Sequence, residues 1–504
     1  MILNHITFRL FGQIFSSCLR FRFAVKLWIT FANFPEDTTM HALEAIGPID
    51  GRYRRHTEPL AEHFSEQALI KKRVLLEAEY FIALAGCDGV PMRKLAPHEH
   101  AAIMSLPTNL SLADCEIIKQ IETKGWNSIK KTDHDVKAVE LWMRHVLAQN
   151  SLNDLLEWLH FALTSEDINN LSYAMMLTGG IRTLLPKLED VLGFLDSWAQ
   201  LHAADAMMAR THGQPATPTT FGKEMRIFAE RLHRQIEQLR TFRLLVKLNG
   251  ASGNYNAHFI ALPNVDWVDF SRKFIEHIGH EYSCRFDVNL HTTQIEPHDN
   301  YAELSHLLAR INTILIDFCQ DMWQYVSDKW IVLLPEEGAA GSSTMPNKIN
   351  PIQLENAEGN AQVANSMFEG YARTLPISRR QRHLSDSTII RTFGVAFGHT
   401  LVAYRMVLTG LGRMRPDVLR MKQVLSRHPE VVAEAYQTIL RRHGYPDPYE
   451  ALKKLTRGVK VTLEDLQRFT YELDVNDEVR AELLAVDPLR YLGLSRLLAE
   501  TKPA

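Results

Sequence analysis

The sequence predicts an all-α protein built around a bundle of long helices, and three stretches carry that expectation. Residues 221–239 place Phe221, Met225, Phe228, Leu232, Ile236 and Leu239 on one stripe of a helix. Residues 304–325 repeat the pattern with Leu304, Leu308, Ile311, Leu315, Phe318, Met322 and Tyr325. A third helix begins at Ser165 and runs through Met175, Met176 and Leu184 toward Leu185. Alternating β-branched segments are short and isolated, so strands are a minor component. Near-heptad stripes on the first two helices, with room to exceed about 25 residues each, point to a bundle and to a subunit interface.

The helix starts are marked locally. Thr217 and Pro218 read as the cap and first-turn proline of the 221–239 helix. Thr164 and Ser165, in TSEDINN, read as the start of the third helix, with Glu166 and Asp167 in its first turn; capping alone accounts for them. Residues 341–351, GSSTMPNKINP, are too polar and too punctuated for core. Gly341 and Pro346 break regular structure there. Asn350 followed by Pro351 reads as an N-cap and a proline at the first helical position. Such a loop suits anion binding, because helix-start N–H groups and Lys348 face the same space. Its chemistry alone leaves a capped surface loop equally open.

Composition bounds the rest. The chain has 504 residues, 46% hydrophobic and 23% charged, which fits a soluble globular protein of about three domains with a large core. A net charge of −3 excludes a general polyanion binder, so phosphate recognition must be local. One local concentration exists. Arg373, Arg379, Arg380, Arg382 and Arg391, with His383, face a single acid, Asp386, between residues 373 and 391. The planar fork of arginine suits phosphate; a solvated helix face accounts for Arg379 and Arg380. Five widely spaced cysteines without a CxxC are read as reduced thiols, with neither a disulfide framework nor a zinc site. No run of about 18 uncharged apolar residues is present, so no membrane span is expected. Residues 1–39 carry Arg9, Arg20, Arg22 and Lys26 before any acid, which fits an amphipathic leader.

Residues 341–351 are similar to the signature loop of the fumarase/aspartase/argininosuccinate lyase superfamily, whose members release fumarate by elimination. IGPIDGRY at 46–53, DHDVKAVE at 133–140, TSEDINN at 164–170, THGQPATP at 211–218, KLNGASGNYNAH at 247–258, TTQIEPHD at 292–299 and the pattern SRxQRxLxDSTxxR at 378–391 extend the match. Over residues 46–500 the chain resembles the bacterial-type adenylosuccinate lyases. The resemblance implies an N-terminal helical domain at 40–151, a central long-helix bundle at 152–412 that assembles into a tetrameric core, and a C-terminal helical domain at 413–504. Residues 1–39 precede the matched region directly. The working enzyme is therefore expected to start at Met40, without the leader.

The implied reaction cleaves a C–N bond in a succinylated purine-pathway nucleotide. That needs a base for the carbon-bound proton, an acid for the departing nitrogen, and donors for a carbanion delocalised into a carboxylate. Neither metal nor organic cofactor is required. A serine is a poor base unless its alkoxide is stabilised, as Lys348 and the loop N–H groups would do; a serine satisfying its own backbone is the plainer reading. A lone loop histidine is usually only surface, although its ordinary pKa suits proton transfer near neutrality. The resemblance assigns Ser342 as base, His212 as acid and Glu355 as the carboxylate orienting it; a solvent-facing helix glutamate is the competing reading. It places substrate contacts at Thr164, Ser165, Gln294, Ser343, Lys348, Asn350 and Asn356, and nucleotide contacts at Arg382, Ser387 and Arg391. Arg52, Tyr53, His134 and Asp135 match further contacts. It also implies a cytoplasmic homotetramer with shared sites, acting on small nucleotides and binding neither nucleic acid nor membrane. Asp133, Asn347, Arg380 and His383 depart from the commonest pattern. A sister lyase or a non-catalytic helical scaffold are the alternatives. The arginine basin argues against fumarase, and retention of Ser342, His212 and Glu355 argues against a scaffold.

Overall fold

A computed structural model describes residues 41–335, 345, 348–456 and 461–502, and the chain divides into two units at Arg54. Residues 41–53 are a run of turns and bends leading into a short helix at Arg54. In it the Tyr53 N–H donates to the Pro48 carbonyl at 2.8 Å, and Arg54 pairs with Asp50 at 3.2 Å.

From Arg55 onward the chain is helical, so the all-α class holds. Its principal helices are α1 (Glu66–Gly86), α2 (Pro97–Asn109), α3 (Leu112–Thr123), α4 (Asp135–Leu147), α5 (Ser165–Leu201), α6 (Phe221–Thr241), α7 (Trp267–Glu281), α8 (Asp299–Ser327), α9 (Ile352–Thr374), α10 (Ser385–Ile390), α11 (Phe393–Leu411) and α12 (Val418–Ser426), followed by shorter C-terminal helices. Among the described residues six short strands form three two-stranded sheets. These are a hairpin of β1 (Ala206–Thr211) and β2 (Gln214–Thr220), a parallel pair β3 (Leu244–Val246) with β4 (Phe286–Val288), and an antiparallel pair β5 (Ile331–Leu333) with β6 (Met414–Pro416).

Helices α5, α6, α8, α9 and α11 make the bundle. The stripe on α6 is buried along its whole length, and that on α8 is buried from Leu304 through Met322, with Tyr325 half-buried at the end. The connections fix direction. α5, α8 and α11 begin at one end, here the near end, and α6 and α9 return to it from the far end. At the far end Arg210 of β1 pairs with Asp328, just past α8, at 3.4 Å. At the near end Arg382 reaches Glu166, in the first turn of α5, at 3.1 Å. With 37 residues in α5 and 29 in α8, the two ends lie about 45–55 Å apart at 1.5 Å per residue.

Several local expectations are corrected. α5 does not stop near Leu185 but continues through Pro186 to Leu201. The proline forfeits one backbone bond, and burial of Leu184, Leu188, Val191 and Leu195 carries the helix past it. α6 spans 21 residues, fewer than the stripe had room for. Its cap is Thr220, whose hydroxyl accepts from the Lys223 N–H at 3.2 Å, whereas Thr217 and Pro218 belong to β2. α9 starts one residue later than Asn350–Pro351 implied, with Pro351 in the cap position and no side-chain cap. Arg379 and Arg380 lie in a turn between α9 and α10, not on a helix face.

Candidate active site

At the near end the first turn of α5 is organised by a buried carboxylate. Asp167 accepts from the Thr164 N–H at 2.9 Å, which closes the capping box, and from the Asn249 and Gly250 N–H groups at 3.1 and 3.2 Å. Lys247, as fully buried as Asp167, pairs with it at 3.0 Å. The same ammonium donates to the carbonyls of Gly250 at 3.0 Å and Gln294 at 2.8 Å. One ion pair thus ties together TSEDINN, KLNGASGNYNAH and TTQIEPHD, three segments far apart in sequence. Gly253 completes the packing. Its φ of +77° is left-handed, and a Cβ there would stand 2.3 Å from the Thr292 carbonyl oxygen, so no other residue fits.

Next to this hub the turn 379–383 forms a cleft of about 500 Å³ with Ala251 and Gln294. Arg382 lines it, paired with Glu166 at 3.1 Å and Asp386 at 3.3 Å. Burial pushes the Asp386 carboxyl up, but the His298 hydrogen bond and the Arg382 charge hold it below its ordinary value. Ser387 is half-buried in the first turns of α10, its N–H bonded to the Leu384 carbonyl at 3.2 Å. Arg391 pairs with Glu66 and Asp135, each at 2.8 Å. His134 caps α4 through Nδ1, which accepts from the Lys137 N–H at 3.3 Å. Asp133 sits at a φ of 52°, a backbone state that Asp and Asn tolerate better than most residues, and pairs with Lys131 at 2.8 Å.

Asp135 carries the charge logic of this corner. It holds Arg73, 1% exposed, at 2.7 Å as well as Arg391. Burial alone would raise its carboxyl, but Arg73, the Val136 N–H and Arg391 more than offset this and hold it at about 2. A folded value below the ordinary 3.8 means that the ion pair stabilises fully above that value and fades as the pH falls toward about 2. Thermal stability of the native chain is expected to fall between about pH 4 and pH 2, with a shallower fall in Asp135→Asn. Equal slopes in the two proteins would contradict the assignment.

The far end holds the other candidates. His212 and Gly213, at φ of 55° and 75°, form the two-residue tip of the β1–β2 hairpin, with Thr211 opposite Gln214. THGQ is therefore a tight hairpin turn with two left-handed residues, not the open loop expected. A left-handed histidine is uncommon and mildly strained. Arg210 braces it, because its guanidinium donates to the Gly213 carbonyl at 3.3 Å, pairs with Asp328 at 3.4 Å and lies over the Trp330 ring at 5.5 Å. Glu355, in the first turn of α9, is exposed and accepts from the Trp323 indole N–H at 3.1 Å. Among the described residues no hydrogen bond joins Glu355 to His212. Lys348 is exposed, with its N–H bonded to the Met345 carbonyl at 3.1 Å, and Asn350 is half-buried. Asn356 accepts from the Asn360 amide at 3.0 Å. Ser342 and Ser343 lie outside the described residues, and Arg52 and Tyr53 belong to the turns before residue 55.

One chain therefore gathers Thr164, Ser165, Gln294, Arg382, Ser387, Arg391, His134 and Asp135 at the near end, and His212, Lys348, Asn350, Glu355 and Asn356 at the far end. Lys247 and Arg210 were missed by sequence reasoning, and Asp167 was read only as part of an ordinary helix cap. Each stood inside a quoted motif or beside it, but only tertiary contacts reveal what they hold.

Known proteins resemble this chain over most of its length. Residues 51–365 match a family model described as Lyase, and residues 378–492 match one described as Adenylosuccinate lyase C-terminal. Fold and matches define a lyase of the fumarase/aspartase class. An adenylosuccinate lyase of Legionella pneumophila (strain Corby) is 42% identical over 465 residues, 92% of this chain and 99% of that protein. Those of Dictyostelium discoideum and Escherichia coli (strain K12) are 42% and 41% identical over 466 and 457 residues, each covering 90% of this chain and 97% of the relative. The chain belongs to the adenylosuccinate lyase family. A fumarate lyase from Mesorhizobium sp. BNC1 shares the fold at a TM-score of 0.68 and 19% identity, over 88% of this chain and 96% of that one.

Proposed function

We propose that this chain cleaves adenylosuccinate to AMP and fumarate, and the succinylated aminoimidazole carboxamide ribotide to its amide and fumarate. The observation that carries this reading is the near-full-length identity to adenylosuccinate lyases, 41–42% over about nine-tenths of the chain. The near-end cleft, with the arginines of the 379–383 turn on one side and Ala251 and Gln294 on the other, is a receptacle for a nucleotide phosphate. In this reading Ser342 takes the carbon-bound proton and His212 protonates the leaving nitrogen. Glu355 orients the histidine once a second chain is in place.

The working form is proposed to be a homotetramer with shared sites, in the cytoplasm. The 45–55 Å between the two groups of candidates supports it, since no single chain brings acid and cleft together. Two chains packed antiparallel put the far end of one beside the near end of the other. Partly exposed Ile227, Trp323 and Val363 on α6, α8 and α9 give the bundle apolar surface to bury in such packing. No described helix is long and apolar enough to cross a membrane.

Ultraviolet absorbance, followed with adenylosuccinate, malate and argininosuccinate in turn, tests the substrate. Turnover of adenylosuccinate is the expected result; turnover of malate alone would overturn it.

A further inference from the structure

The family pattern assigns Arg382 and Arg391 to the nucleotide, yet neither is electrostatically free. Arg382 faces Glu166 and Asp386, Arg391 faces Glu66 and Asp135, and Asp135 also holds Arg73. Three guanidinium groups meet four carboxylates. A phosphate monoester adds about −1.5 to −2 charge near neutrality. Of these groups only Arg382 lines the cleft, and its pairing with Glu166 and Asp386 leaves a phosphate there no surplus positive charge from it.

The surplus stands in the turn between α9 and α10. Arg379 and Arg380 are exposed and make no ion pair among the described residues. Both line the same cleft as Gln294 and Arg382. Arg380 holds a φ of 55°, a conformation that costs energy for a long side chain and needs outside support. His383 supplies it. Its Nδ1 accepts from the Arg379 N–H at 3.2 Å, so the ring proton sits on Nε2, which donates to the Ser385 hydroxyl. Ser378 lies within 3.3 Å of the same Nδ1. The histidine thus bridges the turn and fixes the backbone that presents the two arginines.

We propose that Arg380, with Arg379 beside it, is a phosphate-binding residue that supplies the net positive charge the paired Arg382 and Arg391 lack. This rests on the reading that the cleft takes a nucleotide. The phosphate is remote from the bond that breaks, so the contact is present equally in ground and transition states and acts on affinity, not on turnover.

Calorimetric titration of the full-length protein and of Arg380→Gln with AMP and with inorganic phosphate tests this, together with kcat on adenylosuccinate. The expected result is AMP and phosphate affinities weaker by about fivefold or more, as for loss of a charge-assisted bond in a partly exposed site, with kcat at saturation within about twofold. Arg379→Gln should weaken the same two ligands. Unchanged AMP affinity in Arg380→Gln would overturn the inference, and so would a fall in kcat matching the loss of affinity, which marks a merely structural residue. AMP binding without adenylosuccinate cleavage would sink the functional reading and leave this one standing. Cleavage by the native chain, with Arg380→Gln binding AMP as tightly, would do the reverse.

Discussion

His212→Ala and Ser342→Ala are each expected to lower kcat by at least about 100-fold, the usual scale for a general acid or base. His212 stands at a two-residue hairpin tip in a left-handed conformation, exposed and braced by Arg210 from behind. A surface hairpin needs none of this, since Asn-Gly makes the same turn with less strain. The KM is expected to change little, because both groups act mainly on the transition state. Near-normal turnover in either variant would refute the assignment. The separation of the two ends adds a second measurement. If His212 of one chain serves the cleft of another, mixing and reassembling the two inactive variants should restore part of the activity, because some sites then receive an intact copy of each residue. A mixture as inactive as its components would argue that each site draws both residues from the same chain. A fully active monomer at assay concentration would exclude shared sites altogether.

How much of this was legible in the sequence depends on the range of the interaction. The stripes on α6 and α8 could be read because burial repeats every turn and each turn reports the same face. The start of α5 could be read because the Asp167 carboxylate accepts from the Thr164 N–H within three residues. The end of α5 could not, since Pro186 is a local veto and the apolar residues beyond it that outvote it act through tertiary packing. The hairpin was hidden for a similar reason. Prolines at 215 and 218 argue against strand, yet both pair with β1, Pro215 opposite Arg210 and Pro218 opposite Met208. A two-stranded ribbon has edges where a missing donor is tolerated. The arginine basin was visible as composition but misjudged as charge. Only Asp386 lies nearby in sequence, whereas Glu66, Asp135 and Glu166 arrive from 216 to 325 residues away.

Lys247→Met is expected to cost about 3–5 kcal/mol of unfolding free energy, the range for breaking a buried ion pair by removing one partner. The lysine side chain is fully buried, and methionine keeps most of its volume, so packing alone predicts a small change. The loss comes from Asp167, left charged and out of contact with water. Its remaining donors are the backbone N–H groups of Thr164, Asn249 and Gly250. Those three satisfy its hydrogen bonding but supply no countercharge, so the penalty is electrostatic. Denaturation in urea measures it, and a change below about 1 kcal/mol would show that the dipoles alone hold the carboxylate. A second effect separates the site from the scaffold. The same ammonium anchors the Gly250 and Gln294 carbonyls, so the side of the cleft formed by Ala251 and Gln294 loosens when it goes. In conditions where the variant is still folded, the KM should rise while kcat falls less. That split follows if the pair shapes the receptacle for substrate and takes no part in moving the proton.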